Sequence, residues 1–253
     1  MKKGEKYLKK ILFTLGAFGV LLLIWQIAFF CVGNPLVLPS PWECFGEFFV
    51  LLSKARFWEN FFATFLRAVS AFVLSAVLGL GFALISYLLP SFRAFLTPIA
   101  AFLRALPTVA VILVILVFLS PASAPVAVAS LALVPALYSS ALAAFFSVDE
   151  ELIELCRVYR VPVKKRVFSL YLPAATPYLI REGTAGLSFS LKLAVSAEVL
   201  ASTFQSIGGM MQEAKLYLEI SSLFALTVAV VLVGFLLEGV GAILARRVER
   251  RVK

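Results

Sequence analysis

The chain has 253 residues, a formal net charge of +9 and 62% hydrophobic against 15% charged side chains, and its mean hydropathy is +1.02. That composition leaves too little polar surface to cover a globule in water, so most of the apolar surface is expected to face lipid. The absence of His removes imidazole bases and His metal ligands, and three scattered cysteines, Cys31, Cys44 and Cys156, make neither a disulfide framework nor a zinc site. Cys31 and Cys44 can pair if both lie outside the membrane, or remain thiols.

Taken in chain order, the apolar runs predict an all-α integral membrane protein with about six transmembrane helices. A crossing needs about 20 mostly apolar residues. The first span, about 11–33, is entered from five lysines and is not followed by a small-residue cleavage site, so it reads as a span rather than a removable leader. "PWECFGEFFVLLSKARF" mixes acids, a base and aromatics, and is expected to lie in the interface as an amphipathic helix. A second span follows over about 62–89. The third, 97–119, is interrupted by Pro98, Arg104 and Pro107, so its first third is expected at the interface. The remaining spans are expected over 126–146, 177–201 and 221–245, with Arg67 and Arg104 as interfacial anchors. Gly208-Gly209 reads as a turn, next to Met210, Met211 and Tyr217, which either pack on the span ends or touch a delivered protein.

Six spans put both termini on one side, and the basic residues agree. Eighteen of the 23 Lys and Arg fall on the terminal side, which places the termini and the segment 147–176 in the cytoplasm of a bacterial-type inner membrane.

That charged segment interrupts an otherwise oily chain. Val148, Leu152, Leu155 and Tyr159 recur at helical spacing, with Asp149, Glu150, Glu151 and Glu154 in the first turns and Ser147 as N-cap. Pro162 ends this helix and opens a second as its first residue, carrying Val163, Val167, Leu170 and Tyr171 on one face; Leu172-Pro173 closes it. The segment is therefore expected to be a cytoplasmic helix-turn-helix. Two readings stand on the residues alone: a loop resting on lipid headgroups, or a short apolar helix face that docks in a partner's groove.

A resemblance favours the second. The pattern Glu-Ala-Ala, three residues, Gly, nine residues, Ile-x-Leu-Pro marks the cytoplasmic loop of the membrane subunits of ATP-binding cassette importers. Here Glu154-Leu155-Cys156, "RVY", Arg160, "VPVKKRVFS" and Leu170-Tyr171-Leu172-Pro173 keep that spacing, with Leu155 and Cys156 for the alanines, Arg160 for the glycine and Leu170 for the isoleucine. "LVLPSP", "LRALPTVAVILVILVF", "SVDEELIE" and "AEVLAS" also look like the branch that imports nitrate, sulfonates, taurine or thiamine precursors. The resemblance covers nearly the whole chain. It implies a single permease domain, working as a homodimer, that docks Glu154, Leu155, Cys156, Tyr159, Arg160, Leu170, Leu172 and Pro173 on a cytoplasmic ATPase and receives a small anionic or thiamine-precursor-like solute from an extracytoplasmic binding protein.

Absences agree with that division of labour. The chain has no G-x-x-x-x-G-K-[ST] phosphate loop, so ATP is expected on the partner and no cofactor or metal on this chain. A lipid enzyme would want clustered acids or a Ser/His pair. An ion-gradient carrier often shows repeated spans, and none is evident between residues 1–125 and 126–253. Lys192 and Glu198 fall within the fifth span, where an ionisable group is costly. Either they line the translocation pathway, or they form structural ion pairs with neighbouring helices. About 240° apart around the helix, they do not pair with each other.

Overall fold

The computed structural model describes residues 3–252, and among them there are helices and no strands. Lys2 and Lys253, both counted among the basic residues of the terminal side, lie outside the described residues. The chain divides into two compact units, one containing residues up to Trp58 together with Met210–Ala229, the other Glu59–Gly209 together with the residues from Val230 onward.

In the first unit, α1 (Lys3–Val32) is one continuous helix that ends at Gly33, whose φ of +63° is left-handed and suits glycine. The Asn34 side-chain oxygen then accepts from the Leu36 N–H, closing an Asx turn. The helix α2 (Pro41–Ser53) starts with a complete capping box. Ser40 Oγ accepts from the Glu43 N–H at 3.2 Å, Glu43 returns the bond to the Ser40 N–H at 3.0 Å, and Pro41 follows as N1. Glu43 is thus a cap residue and not only interfacial charge. The expected amphipathic stretch does not run on: Lys54 is extended, and α3 (Ala55–Leu88) begins directly after it. The Trp25 indole donates to the Pro39 carbonyl at 3.1 Å, Ser222 Oγ donates to Glu47 at 3.0 Å, and Arg56 pairs with Glu213, so the polar groups of this unit are joined. All three cysteines are free, Cys44 buried and Cys31 exposed.

In the second unit, α4 (Pro90–Ala105) and α5 (Thr108–Phe118) meet at a bend of 99°. Leu106 and Pro107 are both extended there, as the residue before a proline tends to be. The third span was expected as a crossing by its later part, but α5 has only 11 residues. At 1.5 Å per residue it covers about half of a ~30 Å hydrocarbon core. Only α4 and α5 together are long and apolar enough to cross.

Helix α6 (Ala124–Phe146) and α9 (Leu172–Ala201) pack extensively together, with α5 against both and α4 against α6. Small residues permit this: Ala71, Ala129 and Leu193 form one buried cluster, and Ile112, Val128 and Ala197 another. Where α3 crosses α6, a Cβ on Gly79 would come within 3.0 Å of Leu137 Cβ and the Tyr138 nitrogen. Hydroxyls in these contacts find carbonyls: Ser190 donates to Ala68 at 2.8 Å, and Ser75 to Ala71 at 2.7 Å and Ser130 at 3.3 Å.

Among the described residues four helices are long and apolar enough to span, over Ala55–Leu88, Ala124–Phe146, Glu182–Ala201 and Ile220–Ile243, and the bent pair makes a fifth. Among the described residues the first span is represented by the shorter apolar stretch Gly16–Val32 within α1. Helices overrun the expected limits, α3 starting seven residues before position 62 and α11 (Ile220–Val252) ending seven past 245.

Burial, and then the neighbouring Glu43 charge, push the Cys44 thiol up to about 11. At pH 7 almost none of it is thiolate. Cys44 is therefore expected to escape maleimide in the folded chain at pH 7 and to react once the chain is unfolded in SDS, as peptide mass mapping would show.

Candidate functional site

The segment 147–176 contains two short helices, α7 (Glu150–Val158) and α8 (Val163–Arg166). Its N-cap is Asp149, which accepts from the Glu151 N–H at 3.0 Å, and not Ser147 as expected. Ser147 is instead the C-cap of α6, its hydroxyl donating back to the Ala144 carbonyl at 2.8 Å. With Glu150 and Glu151 in the first turn, α7 opens on negative charge, which its dipole favours.

The turn after α7 is a Schellman motif. Arg160 N–H donates to the Arg157 carbonyl at 3.0 Å, and Val161 N–H to the Cys156 carbonyl at 2.9 Å. Arg160 itself has φ +48°. The residue in the family's glycine place thus adopts the left-handed conformation for which glycine is suited, at a cost of about 1–2 kcal/mol for an L side chain. Pro162 is the N-cap of α8 and stands just outside it.

Expectation and structure part company at Leu172-Pro173. These residues do not close a second helix. A π-helical turn over Val167–Tyr171 joins α8 to α9, so the chain is helical from Val163 to Ala201 without a break. Proline has no N–H and its ring would clash with the carbonyl four residues back. The wide turn, with the Leu172 N–H bonded to the Val167 carbonyl, lies just ahead of Pro173 and makes room for it.

The two halves of the segment differ in burial. Val148, Val167 and Tyr171 belong to a buried cluster with Tyr138, Leu142 and Phe145, and Leu170, Leu172 and Ile153 pack against it. Tyr171 also packs edge-on to Tyr87, with centroids 4.9 Å apart. By contrast Leu152, Leu155, Val158 and Tyr159 are exposed, Tyr159 at 77%, and Cys156 is half-buried. Val148 was expected on the same face as Leu152, Leu155 and Tyr159, but it precedes α7 and turns into the core. Glu154 and Arg160 lie exposed beside the apolar edge.

Glu198 and Lys192 have separate surroundings on α9. Glu198 is wholly buried. One of its oxygens accepts from Arg67 at 3.0 Å, the other from Thr64 Oγ1 at 2.9 Å and the Gly208 N–H at 3.2 Å. Arg67 also donates to the Gln205 carbonyl at 3.2 Å, and Thr64 Oγ1 accepts from the Ile207 N–H at 2.9 Å. These bonds cap α10 (Ile207–Leu216), whose opening N–H groups have no partner within the helix. Arg67 is therefore the counter-charge of Glu198 and not simply an interfacial anchor. Gly208 and Gly209 are not the turn, which is made by Ser202 (φ +48°) and Gln205 (φ +50°). They lie in the first turn of α10 because a Cβ on Gly208 would strike Glu198 and come within 2.7 Å of the Val199 nitrogen.

Lys192 is exposed and pairs with Glu238 of α11, 3.6 Å away. The sequence reading named neither Glu238 nor Thr64. The available signal was that a charge in one span calls for an opposite charge in another, but which spans adjoin is a tertiary fact.

Two outcomes are expected. Glu198→Leu strands the Arg67 charge, the Thr64 hydroxyl and the Gly208 N–H, and should cost about 3–5 kcal/mol, seen as a lowered unfolding midpoint in detergent, with Glu198→Gln in between. Arg160→Gly should stabilise the turn by about 1 kcal/mol and slow amide exchange at Val161 roughly fivefold.

Comparison with known proteins gives a consistent result. A family model described as "Binding-protein-dependent transport system inner membrane component" matches residues 75–250. The taurine transport system permease protein of Escherichia coli (strain K12) is 25% identical over 237 residues, 91% of this chain and 86% of its own length. The bicarbonate transport system permease protein of Synechococcus elongatus is 25% identical over 265 residues, 100% of this chain and 94% of its own. Among solved structures, a chain of the inward-facing MetNI methionine ABC transporter in its CY5 native crystal form superposes with a TM-score of 0.69 at 15% identity, covering 78% of this chain and 99% of that one; the fold is shared.

Proposed function

The chain belongs to the binding-protein-dependent transport system inner membrane components, and we propose that it works as a homodimer carrying a small oxyanion, or a solute with an anionic group, into the cell at the expense of ATP bound by a separate subunit. Members of this family are permease subunits of ATP-binding cassette importers, multi-pass membrane proteins that transport and are not themselves enzymes. The observation that carries the docking reading is the exposed apolar edge of α7, Leu152, Leu155, Val158 and Tyr159, held on a segment whose other half is sunk in the core. A short amphipathic helix with such an edge suits a groove on a soluble partner, and Glu154 and Arg160 beside it give that partner charges to read.

Anionic cargo is supported by the relatives. Taurine carries a sulfonate and bicarbonate is an oxyanion, and both name permeases that match most of this chain. In this reading Lys192 belongs to the pathway, and Glu198, saturated by its own partners, belongs to the scaffold. The distribution of basic residues supports a cytoplasmic location for the termini and α7, where an ATPase can reach them, with a binding protein delivering cargo on the other side. ATP closes the ATPase pair and shifts the permease between inward-open and outward-open states. The unbroken helix from Val163 to Ala201 supplies a stiff path from the docking segment to Lys192.

Gentle detergent purification from native membranes tests the docking. The unaltered chain should bring down a cytoplasmic ATPase in stoichiometric amount, and Leu152→Glu/Leu155→Glu should lose at least 90% of it while staying in the membrane. An ATPase retained in full by that variant would contradict the reading.

A further inference from the structure

From Glu182 onward the exposed residues of α9 fall on one stripe, Glu182, Ala185, Phe189, Lys192, Ser196 and Leu200, at helical spacing. Half of them are charged or polar. The outward residues of α3 make the contrast, with Leu66, Val73, Leu74, Val77, Leu78 and Ile85 among them, as lipid requires. A Lys and a Glu facing hydrocarbon would each be costly, so we infer that the stripe of α9 faces water. Alongside it, a groove of about 180 Å³ runs between α6 and α9, with Ser140 and Glu182 as its polar residues among apolar walls.

The two charges of α9 are held in opposite ways. Glu198 is buried and accepts from three donors, a fixed arrangement. Lys192 and Glu238 have side chains 53% and 44% exposed, stand 3.6 Å apart, and have no hydrogen bond between them. A pair so exposed is weak, and an ammonium has three protons to donate. The helices meet here closely but without a polar clasp. A Cβ on Gly234 would lie 3.1 Å from Ser188 Oγ and 3.6 Å from Lys192 Cε, and the buried Ser188 hydroxyl has no partner.

From this we propose that Lys192 and Glu238 form an anion-exchange site: the anionic group of a passing solute displaces the Glu238 carboxylate from the Lys192 ammonium, and Glu238 takes the ammonium back as the solute leaves. The proposal rests on the permease reading and on α9 lining its pathway. Lys192 then selects for negative charge, while Glu238 prevents the anion from binding so tightly that it stays. No bond is made or broken; only ion pairs exchange.

Thiol labelling in isolated membranes separates this proposal from the reading beneath it. In a chain whose Cys31, Cys44 and Cys156 are replaced by Ala, single cysteines are introduced as Phe189→Cys or Ser196→Cys, with exposed Ser53→Cys as control. Each is reacted with anionic 2-sulfonatoethyl and with cationic 2-(trimethylammonium)ethyl methanethiosulfonate. Both positions should react, and the ratio of anionic to cationic rates should fall about fivefold in Lys192→Met and rise about fivefold in Glu238→Gln, as expected for one unit charge several ångströms away in water. Labelling with a ratio that either variant leaves unchanged overturns the exchange site and leaves the pathway intact. No labelling at 189 or 196 while Ser53→Cys reacts overturns both. The charge-exchanged pair Lys192→Glu/Glu238→Lys guards against loss of structure: it should label as fully as the parent but invert the preference of the site, and an unaltered preference again overturns the proposal.

Discussion

Charge inside a membrane has to be answered by charge or by a hydrogen bond, and in this chain the answer to one carboxylate organises three helices. Glu198 alone would be intolerable where it lies. With Arg67 and Thr64 from α3 and the Gly208 N–H from α10, every oxygen is used. The same bonds supply the missing acceptor at the start of α10, so a helix following a tight turn after a span begins without an orphaned donor. Gly208 is needed because the Glu198 Cβ and the backbone of α9 occupy the space a side chain would take. Removing any one of these groups strands the others. The interaction is therefore a fixed point, against which the looser Lys192–Glu238 pair on the same helix stands out.

The second consequence is mechanical. The segment that interrupts the apolar pattern is not a hinged loop on both sides. Its first helix, α7, is bounded by the end of α6 and by the Schellman turn at Arg160, and stands out with an apolar edge exposed. Its second helix runs through the π turn into α9. That side of the segment and Lys192 therefore lie on one continuous helix, which the π turn widens without breaking. Val167 and Tyr171 in the core keep the lower part of this helix from swinging freely.

Much of this was legible in the residues. The all-α membrane class and the interruption at 149–166 follow from periodicity and charge, which are local, and the family from a resemblance carried by short motifs. What was not legible depends on which helices meet. Arg67 looked like an anchor because its partner is 131 residues away. Pro173 looked like a terminator because proline ordinarily is one, and the π turn that accommodates it leaves no sequence mark. Ser147 and Asp149 are both good caps, and the choice between them fell to where α6 ended. Gly208-Gly209 had the composition of a turn, but close approach was the reason for glycine. Arg160 is the reverse case. Its left-handed backbone is unfavourable locally and is imposed by the motif that reverses the chain, so the sequence showed the place and the structure showed that the conformation survives the substitution.

On the proposed function, α7 is where this chain receives work from another protein. The most direct measurement places a benzoyl-phenylalanine photocrosslinker at Tyr159, the most exposed large side chain of that edge, irradiates native membranes and identifies the adducts by mass spectrometry. One dominant adduct is expected, between this chain and a cytoplasmic ATP-binding subunit, with a yield that changes when ATP is supplied. Adducts confined to lipid, with no protein partner in either nucleotide condition, would contradict it.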